Sequence, residues 1–142
     1  MARIYKMTDK IPVKIHDLTV EISPLNYETK SICQNLILNG RHMDAAIEAL
    51  RASIKSVSGL ENADGSEYQL DLVEGKISEA CLDELLNVQG SDEMQLIAIS
   101  LLQGIPKEFV DPATGKPLQG VSFVKDPSAK KPRRLKSTGT SD

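Results

Sequence analysis

Apolar and polar residues alternate in two short stretches near the start of the chain. Residues 11–15 and 18–22 each place apolar side chains at every second position, and the polar pair His16-Asp17 lies between them. Because successive side chains of a strand point to opposite faces, this pattern predicts a β-hairpin with one buried face. A similar alternation predicts a further strand of the same sheet at residues 67–73.

Four later segments carry apolar residues at helical spacing. The first, after Pro24, ends at Asn39-Gly40, where glycine favours the left-handed conformation that closes a helix. The second has a stripe with spacings of four and three residues, closed by Ser58-Gly59. The third follows Ser78 and the fourth follows Ser91, both of which we predict to be N-caps. The stripe of the second helix consists of Met43, Ile47, Leu50, Ile54 and Val57.

These elements predict an α+β fold, with about four helices packed on a small antiparallel sheet. We expect one domain over residues 1–124, because a core of ordinary size fits in that length. Residues 104–124 are rich in Pro and Gly and are predicted to be irregular, apart from a short strand at 120–124 that would be an edge strand or a docking segment. Residues 125–142 are predicted to form an extended or disordered, flexible tail.

Charge divides the chain into an acidic body and a basic tail. Residues 125–142 carry six basic and two acidic side chains, a net charge of +4, whereas residues 1–124 carry 11 basic and 18 acidic ones, a net charge of −7. The tail is either a solvating end or an arm that docks on an acidic partner or a nucleic acid. The acidic body and the lack of Trp make nucleic acid an unfavourable partner.

No residue set in the sequence has a catalytic signature. Cys33 and Cys81 lie far apart among apolar residues, which predicts two buried free thiols and a reducing cytoplasm. His16 and His42 have no carboxylate or nucleophile at a suggestive spacing. We therefore expect no enzyme activity, no cofactor and no catalytic residues.

Neither a metal site nor a membrane segment is predicted. The loop at residues 60–71 resembles a calcium loop only in its central glycine, because Leu60 would occupy the first ligand position. We interpret it as a solvated turn. The start of the chain has no apolar segment typical of a signal peptide, and the longest apolar run, residues 96–102, is too short to span a bilayer.

Three stretches of the chain resemble the tail assembly chaperones of long-tailed bacteriophages. They are V-E-I-S-P-L-N-Y-E-T-K at residues 20–30, G-L-E-N-A-D-G-S-E-Y at residues 59–68 and L-D-E-L-L-N-V at residues 82–88. The order of predicted elements over residues 11–124 is similar to that family in outline. Tail-tube and capsid neighbours of similar size remain alternatives.

The resemblance implies a binding protein that acts in the host cell cytoplasm. Its partners would be the tape-measure protein and the tail-tube protein, and it would self-associate. A virion structural protein, such as a tail-tube, tail-completion or head–tail joining subunit, is the alternative, and the virion is then the location. Apolar helix faces and the basic tail would bind partners, although core packing is the favoured interpretation of both helix faces. The candidate partner-binding residues are Met43, Ile47, Leu50, Ile54, Met94, Ile97, Leu101, Lys130, Lys131, Arg133 and Arg134.

The resemblance also implies a second product of the gene. Many members of the family are made in two forms by a −1 ribosomal frameshift near the end of the gene. Ala129-Lys130-Lys131 is compatible with a slippery codon sequence. We hypothesise that a longer form replaces much of the basic tail, and the gene sequence decides this directly.

Overall fold

The computed structural model describes residues 4–124, and the predicted tail lies outside this part of the chain. The described residues form four α-helices and a four-stranded antiparallel sheet of order β3-β2-β1-β6, which confirms the predicted α+β fold. A second, two-stranded sheet pairs β4 with β5. The elements are β1 Ile11–Ile15, β2 Leu18–Ile22, α1 Tyr27–Leu38, α2 His42–Ser53, β3 Ile54–Ser58, β4 Leu72–Val73, β5 Lys76–Ile77, α3 Glu79–Leu85, α4 Ser91–Ser100 and β6 Val121–Phe123.

The predicted hairpin is present with one buried face. β1 pairs with β2 from Ile11↔Ile22 to Ile15↔Leu18, and His16 takes a positive φ of 53° in the turn. The inward residues Val13 and Val20 are fully buried, whereas outward residues of the same strands are exposed or half-buried. Period-2 alternation was therefore sufficient to predict both strands and the buried face that they share.

The predicted second helix is too long, because its last part is a strand. α2 ends at Ser53, and Ile54 and Val57 belong to β3, which pairs with β2. The pairing shifts register between Glu21 and Ile22, so that Lys55 is the extra residue of a β-bulge. Residues three apart in a regular strand point to opposite faces, but the bulge turns both Ile54 and Val57 inward. Their spacing therefore matches that of a helix.

The strand predicted at residues 67–73 is also wrong in most of its length. Only Leu72 and Val73 are in a strand, and they pair with Lys76 and Ile77 outside the main sheet. Tyr68 and Leu70 are half-buried and pack against the core from an irregular segment. The apolar alternation here reflects packing against the core without a ladder of backbone hydrogen bonds.

Side-chain capping explains where α1 and α3 begin. Asn26 accepts a hydrogen bond from the Thr29 amide at 2.9 Å, so that α1 starts after Asn26, three residues later than Pro24 suggested. Ser78 caps α3 as predicted and accepts from the Cys81 amide at 3.2 Å. The prediction of Ser91 as an N-cap is wrong, because Gly90 is the capping residue of α4 and Ser91 lies in its first turn.

The strand predicted near residues 120–124 lies at an edge of the main sheet. β6 pairs with β1 through Val13↔Phe123 and Ile15↔Val121. The Phe123 ring stacks on Phe109 with centroids 5.0 Å apart, and Phe109 is buried. These contacts attach the Pro- and Gly-rich segment to the hydrophobic core.

Candidate partner-binding groove

Most of the apolar residues predicted to bind a partner lie in the core. Five of them are at most 1% exposed, and they fill the space between α2, α4 and the sheet: Leu50, Ile54, Met94, Ile97 and Leu101. In the folded chain these side chains are not on the surface. Their helical spacing reports intramolecular packing, which was the favoured interpretation of both helix faces.

Two of the predicted apolar residues do reach the surface, both on α2. Met43 is 67% exposed in the first turn of the helix. Ile47 is half-buried, one turn further along, and lines an open groove. The predicted tail residues Lys130, Lys131, Arg133 and Arg134 lie outside the described part of the chain.

The groove lies between α1, α2 and α3 and has a volume of about 410 Å³. Each helix contributes one apolar side chain, Leu36 from α1, Ile47 from α2 and Leu82 from α3. Charged side chains surround these three residues. The charged lining consists of Arg41, Asp44, Glu48, Arg51, Glu79 and Asp83.

The charged lining leaves acidic side chains in excess. Arg41 donates to Asp44 at 2.7 Å, and Lys76 lies 3.4 Å from Glu48. Arg51 donates through Nε to the carbonyl oxygen of Ile77 at 3.0 Å. Both arginines of the groove therefore already have partners within the chain.

The acids of α3 have a different environment. Glu79 and Asp83 are exposed, are four residues apart on one helix face, and make no ion pair among residues 4–124. The groove therefore offers an apolar floor beside two acidic side chains that are accessible to a basic partner. Sequence analysis missed this site because its floor comes from three helices. The spacing of Glu79 and Asp83 was the signal that could have drawn attention to α3.

A second cluster joins Tyr68, Cys81 and Glu84. The Tyr68 hydroxyl lies 2.6 Å from Cys81 Sγ and donates to Glu84 at 3.1 Å. Burial and the contact with Cys81 raise the pKa of Tyr68. The adjacent cleft has a volume of about 180 Å³, which is below the ~300 Å³ of a typical small-molecule site. This cluster joins the loop after β3 to α3, and the cleft beside it is smaller than a typical ligand pocket.

Both cysteines are free and buried, as predicted. Cys33 donates to the carbonyl oxygen of Ala45 at 3.4 Å, which joins α1 to α2. Burial raises the pKa of the Cys33 thiol, so that it stays protonated near neutral pH. Cys33 therefore acts as a small core residue rather than as a nucleophile.

The loop that was compared with a calcium site is organised by its own side chains. Asp64 accepts from the Ser66 amide at 2.9 Å and from the Ser66 hydroxyl at 2.6 Å. These hydrogen bonds lower the pKa of the Asp64 carboxyl. Within residues 4–124, no three His, Cys, Asp or Glu side chains are grouped closely enough to hold a metal ion.

His16 connects the hairpin turn to α4 and to the start of β6. Its Nε2 lies 3.1 Å from Glu93, and its backbone amide donates to the carbonyl oxygen of Gly120 at 2.7 Å. The hydrogen bond from His16 lowers the pKa of Glu93 below its ordinary value of about 4.5. His16 and Glu93 thus form a structural contact between three elements.

The Glu93 contact predicts a pH dependence of stability. A carboxyl whose pKa is lower in the folded state stabilises the fold above its unfolded pKa, and the contribution is lost as the pH falls through the folded pKa. We expect Glu93→Gln to lower the free energy of unfolding by about 0.2–1 kcal/mol at pH 6, since the pair is partly exposed. The difference from wild type should shrink below pH 4.5. Urea unfolding between pH 3 and 7 measures this, with Asp92→Asn as the control, and an unchanged difference across that range would contradict it.

No protein-family model matches this chain, and the comparisons with curated proteins and with solved structures find no similar protein. Among residues 4–124, none of the helices combines the length and the apolar character that crossing a membrane requires.

Proposed function

We propose that this chain is a non-enzymatic tail assembly chaperone of a long-tailed bacteriophage. It binds the tape-measure protein and keeps it soluble while tail-tube subunits assemble around it. The observation that carries the proposal is the groove between α1, α2 and α3, with its apolar floor and acidic rim. The resemblance of residues 20–30, 59–68 and 82–88 to that family supports it.

The groove suits one amphipathic helix of a client. Leu36, Ile47 and Leu82 offer an apolar surface to the client's apolar stripe. Glu79 and Asp83, one turn apart, would bind lysine or arginine beside that stripe. Since α2 has 12 residues, a client helix aligned with it would make contact over about 18 Å, or three turns.

Exposed apolar side chains outside the groove lining suit further partners of the proposed function. Leu38 and Met43 are exposed on either side of the turn between α1 and α2, at 83% and 67%. Such exposed apolar side chains favour self-association or a contact with the tail-tube protein. The host cell cytoplasm is the proposed location, because assembly of the tail precedes release of the particle.

Binding to a tape-measure fragment tests the proposal directly. Ile47→Asp places a charge in the floor of the groove and should reduce recovery of a co-expressed helical fragment by at least about tenfold, since one buried Ile is worth roughly 1.5–3 kcal/mol. Val73→Asp is the matched control, because Val73 is 57% exposed and lies outside the groove. Overlapping fragments of the tape-measure protein provide the clients.

Two results would contradict the proposal. One is that the wild-type chain recovers none of the fragments. The other is that Ile47→Asp and Val73→Asp reduce recovery equally. Circular dichroism and thermal unfolding of both variants separate lost binding from lost folding.

A virion structural subunit is the second candidate function, and the position of β6 favours it. Val121–Phe123 pairs only with β1 among the described residues, so its outer edge can accept a strand from a neighbouring subunit. Mass spectrometry of purified particles distinguishes the two functions. A chaperone should be absent from mature particles, whereas a structural subunit should be present in many copies.

A further inference from the structure

We propose that residues 130–136 of the basic tail bind in the groove between α1, α2 and α3 of the same chain. This segment reads K-K-P-R-R-L-K. The proposal assigns the groove a second, internal ligand and does not depend on the function of the protein. Its basis is the complementarity between a defined acidic surface and the most basic segment of the sequence.

The charges of the two surfaces are opposite. Glu79 and Asp83 lie on the rim without an ion-pair partner among residues 4–124, and both are exposed. The segment contains five basic residues and no acidic residue. Attraction between them is long-ranged at low salt.

The tail segment and the groove also each contain an apolar part. Leu135 is the one apolar aliphatic residue of the segment and lies directly between Arg134 and Lys136. The groove provides an apolar floor beside the acids of α3. Leucine would pack on the apolar floor of the groove while the flanking basic side chains pair with the acids of the rim. A contact through charge alone would leave the apolar floor uncovered.

The length of the chain permits this contact. Val124 follows β6, and Lys130 is six residues further along the sequence. An extended chain covers at most about 3.5 Å per residue, so Lys130 can lie up to about 20 Å from Val124 and Lys136 up to about 40 Å. A domain of this size has a diameter of roughly 35 Å. A short tether supplies an effective concentration near the millimolar range, so a weak contact is occupied within one chain.

One consequence rests on the proposed chaperone function. A basic amphipathic client would compete with the tail for the groove, and a form of the protein with a different tail would leave the groove accessible. The tail would then reduce binding of weak clients and permit binding of strong ones.

Zero-length carbodiimide cross-linking of the full chain tests the tail contact without any client. The reagent joins a lysine amine to a carboxylate that touches it. We expect amides between Lys130, Lys131 or Lys136 and the acids Glu79 or Asp83. The yield of these cross-links should exceed the yield at the exposed control acids Glu61 and Glu67 by at least about fivefold. This is the ratio that corresponds to a contact worth roughly 1 kcal/mol.

A tail variant and a change of salt provide the controls. Arg133→Gln with Arg134→Gln keeps all three reporter lysines but removes two charges, so the cross-links to Glu79 and Asp83 should decrease. They should also decrease when salt is raised from 0.1 M to 1 M, because the screening length falls from about 10 Å to about 3 Å. Cross-links to Glu61 and Glu67 should change much less.

A mixture of isotopically labelled and unlabelled chains identifies which chain supplies the tail. Cross-links within one chain support the proposal. Cross-links mainly between labelled and unlabelled chains would overturn it in favour of docking between two copies. An equal yield at the groove acids and the control acids would overturn docking altogether. Failure to bind a tape-measure fragment would leave these cross-links unaffected, so the two proposals fail separately.

Discussion

Leu50→Ala should lower the free energy of unfolding by about 2–5 kcal/mol, whereas Met43→Ala should change it by less than about 0.5 kcal/mol. Both residues belong to the apolar stripe of α2, two helical turns apart. Leu50 is fully buried between α2, α4 and the sheet, and Met43 is 67% exposed. The loss at Leu50 combines the removed apolar contact with the cavity that remains.

Urea unfolding followed by circular dichroism measures both variants under identical conditions. Equal and large losses at Leu50 and Met43 would contradict this packing, since they would mean that the whole stripe is buried. Equal and small losses would mean that the stripe faces a partner instead of the core. The two variants therefore distinguish a core position from a surface position within one helix. The spacing of the stripe could not make that distinction.

The parts of the fold that depend on local chemistry could be predicted from the sequence. The β1–β2 hairpin follows from alternation, and its turn lies at His16-Asp17 as expected. Ser78 was identified as the cap of α3 because its hydroxyl lies three residues before an amide of the predicted helix, although the same reasoning failed at Ser91. In each case the interaction joins residues that are close in the sequence.

The β3 strand could not be predicted because two periodicities coincide. Ile54 and Val57 continue the spacing of α2, and only the bulge at Lys55 turns both inward within a strand. A bulge depends on the partner strand, here β2, more than 30 residues earlier in the sequence. The pattern of apolar residues along β3 alone is therefore compatible with either structure.

The groove could not be predicted for a related reason. Leu36, Ile47 and Leu82 come from three helices, and their proximity depends on how α3 packs beside α1 and α2. Apolar spacing identified Ile47 as part of a stripe without distinguishing its half-buried position from the full burial of Leu50. A partner surface of this kind depends on which part of each stripe the core leaves uncovered.

Gly59→Ala should lower the free energy of unfolding by about 2–4 kcal/mol, from the strain of a positive φ and from a backbone clash. Gly59 has a φ of +96° directly after β3. A Cβ atom there would lie 2.8 Å from the carbonyl oxygen of Asp17 in the turn between β1 and β2. Since that oxygen belongs to the backbone of a paired hairpin, it cannot move aside as the end of a flexible side chain would.

Gly65→Ala isolates the contribution of the backbone angle. Gly65 has a similar φ of +88°, but a Cβ atom there would have no neighbouring atom within 4 Å. Its replacement should cost only about 1–2 kcal/mol. A glycine that merely ended a helix would show the same small cost at residue 59, because a helix end needs only the positive φ. A larger loss at Gly59 than at Gly65 in urea unfolding therefore supports the close approach of β3 to the hairpin turn, and equal losses would contradict it.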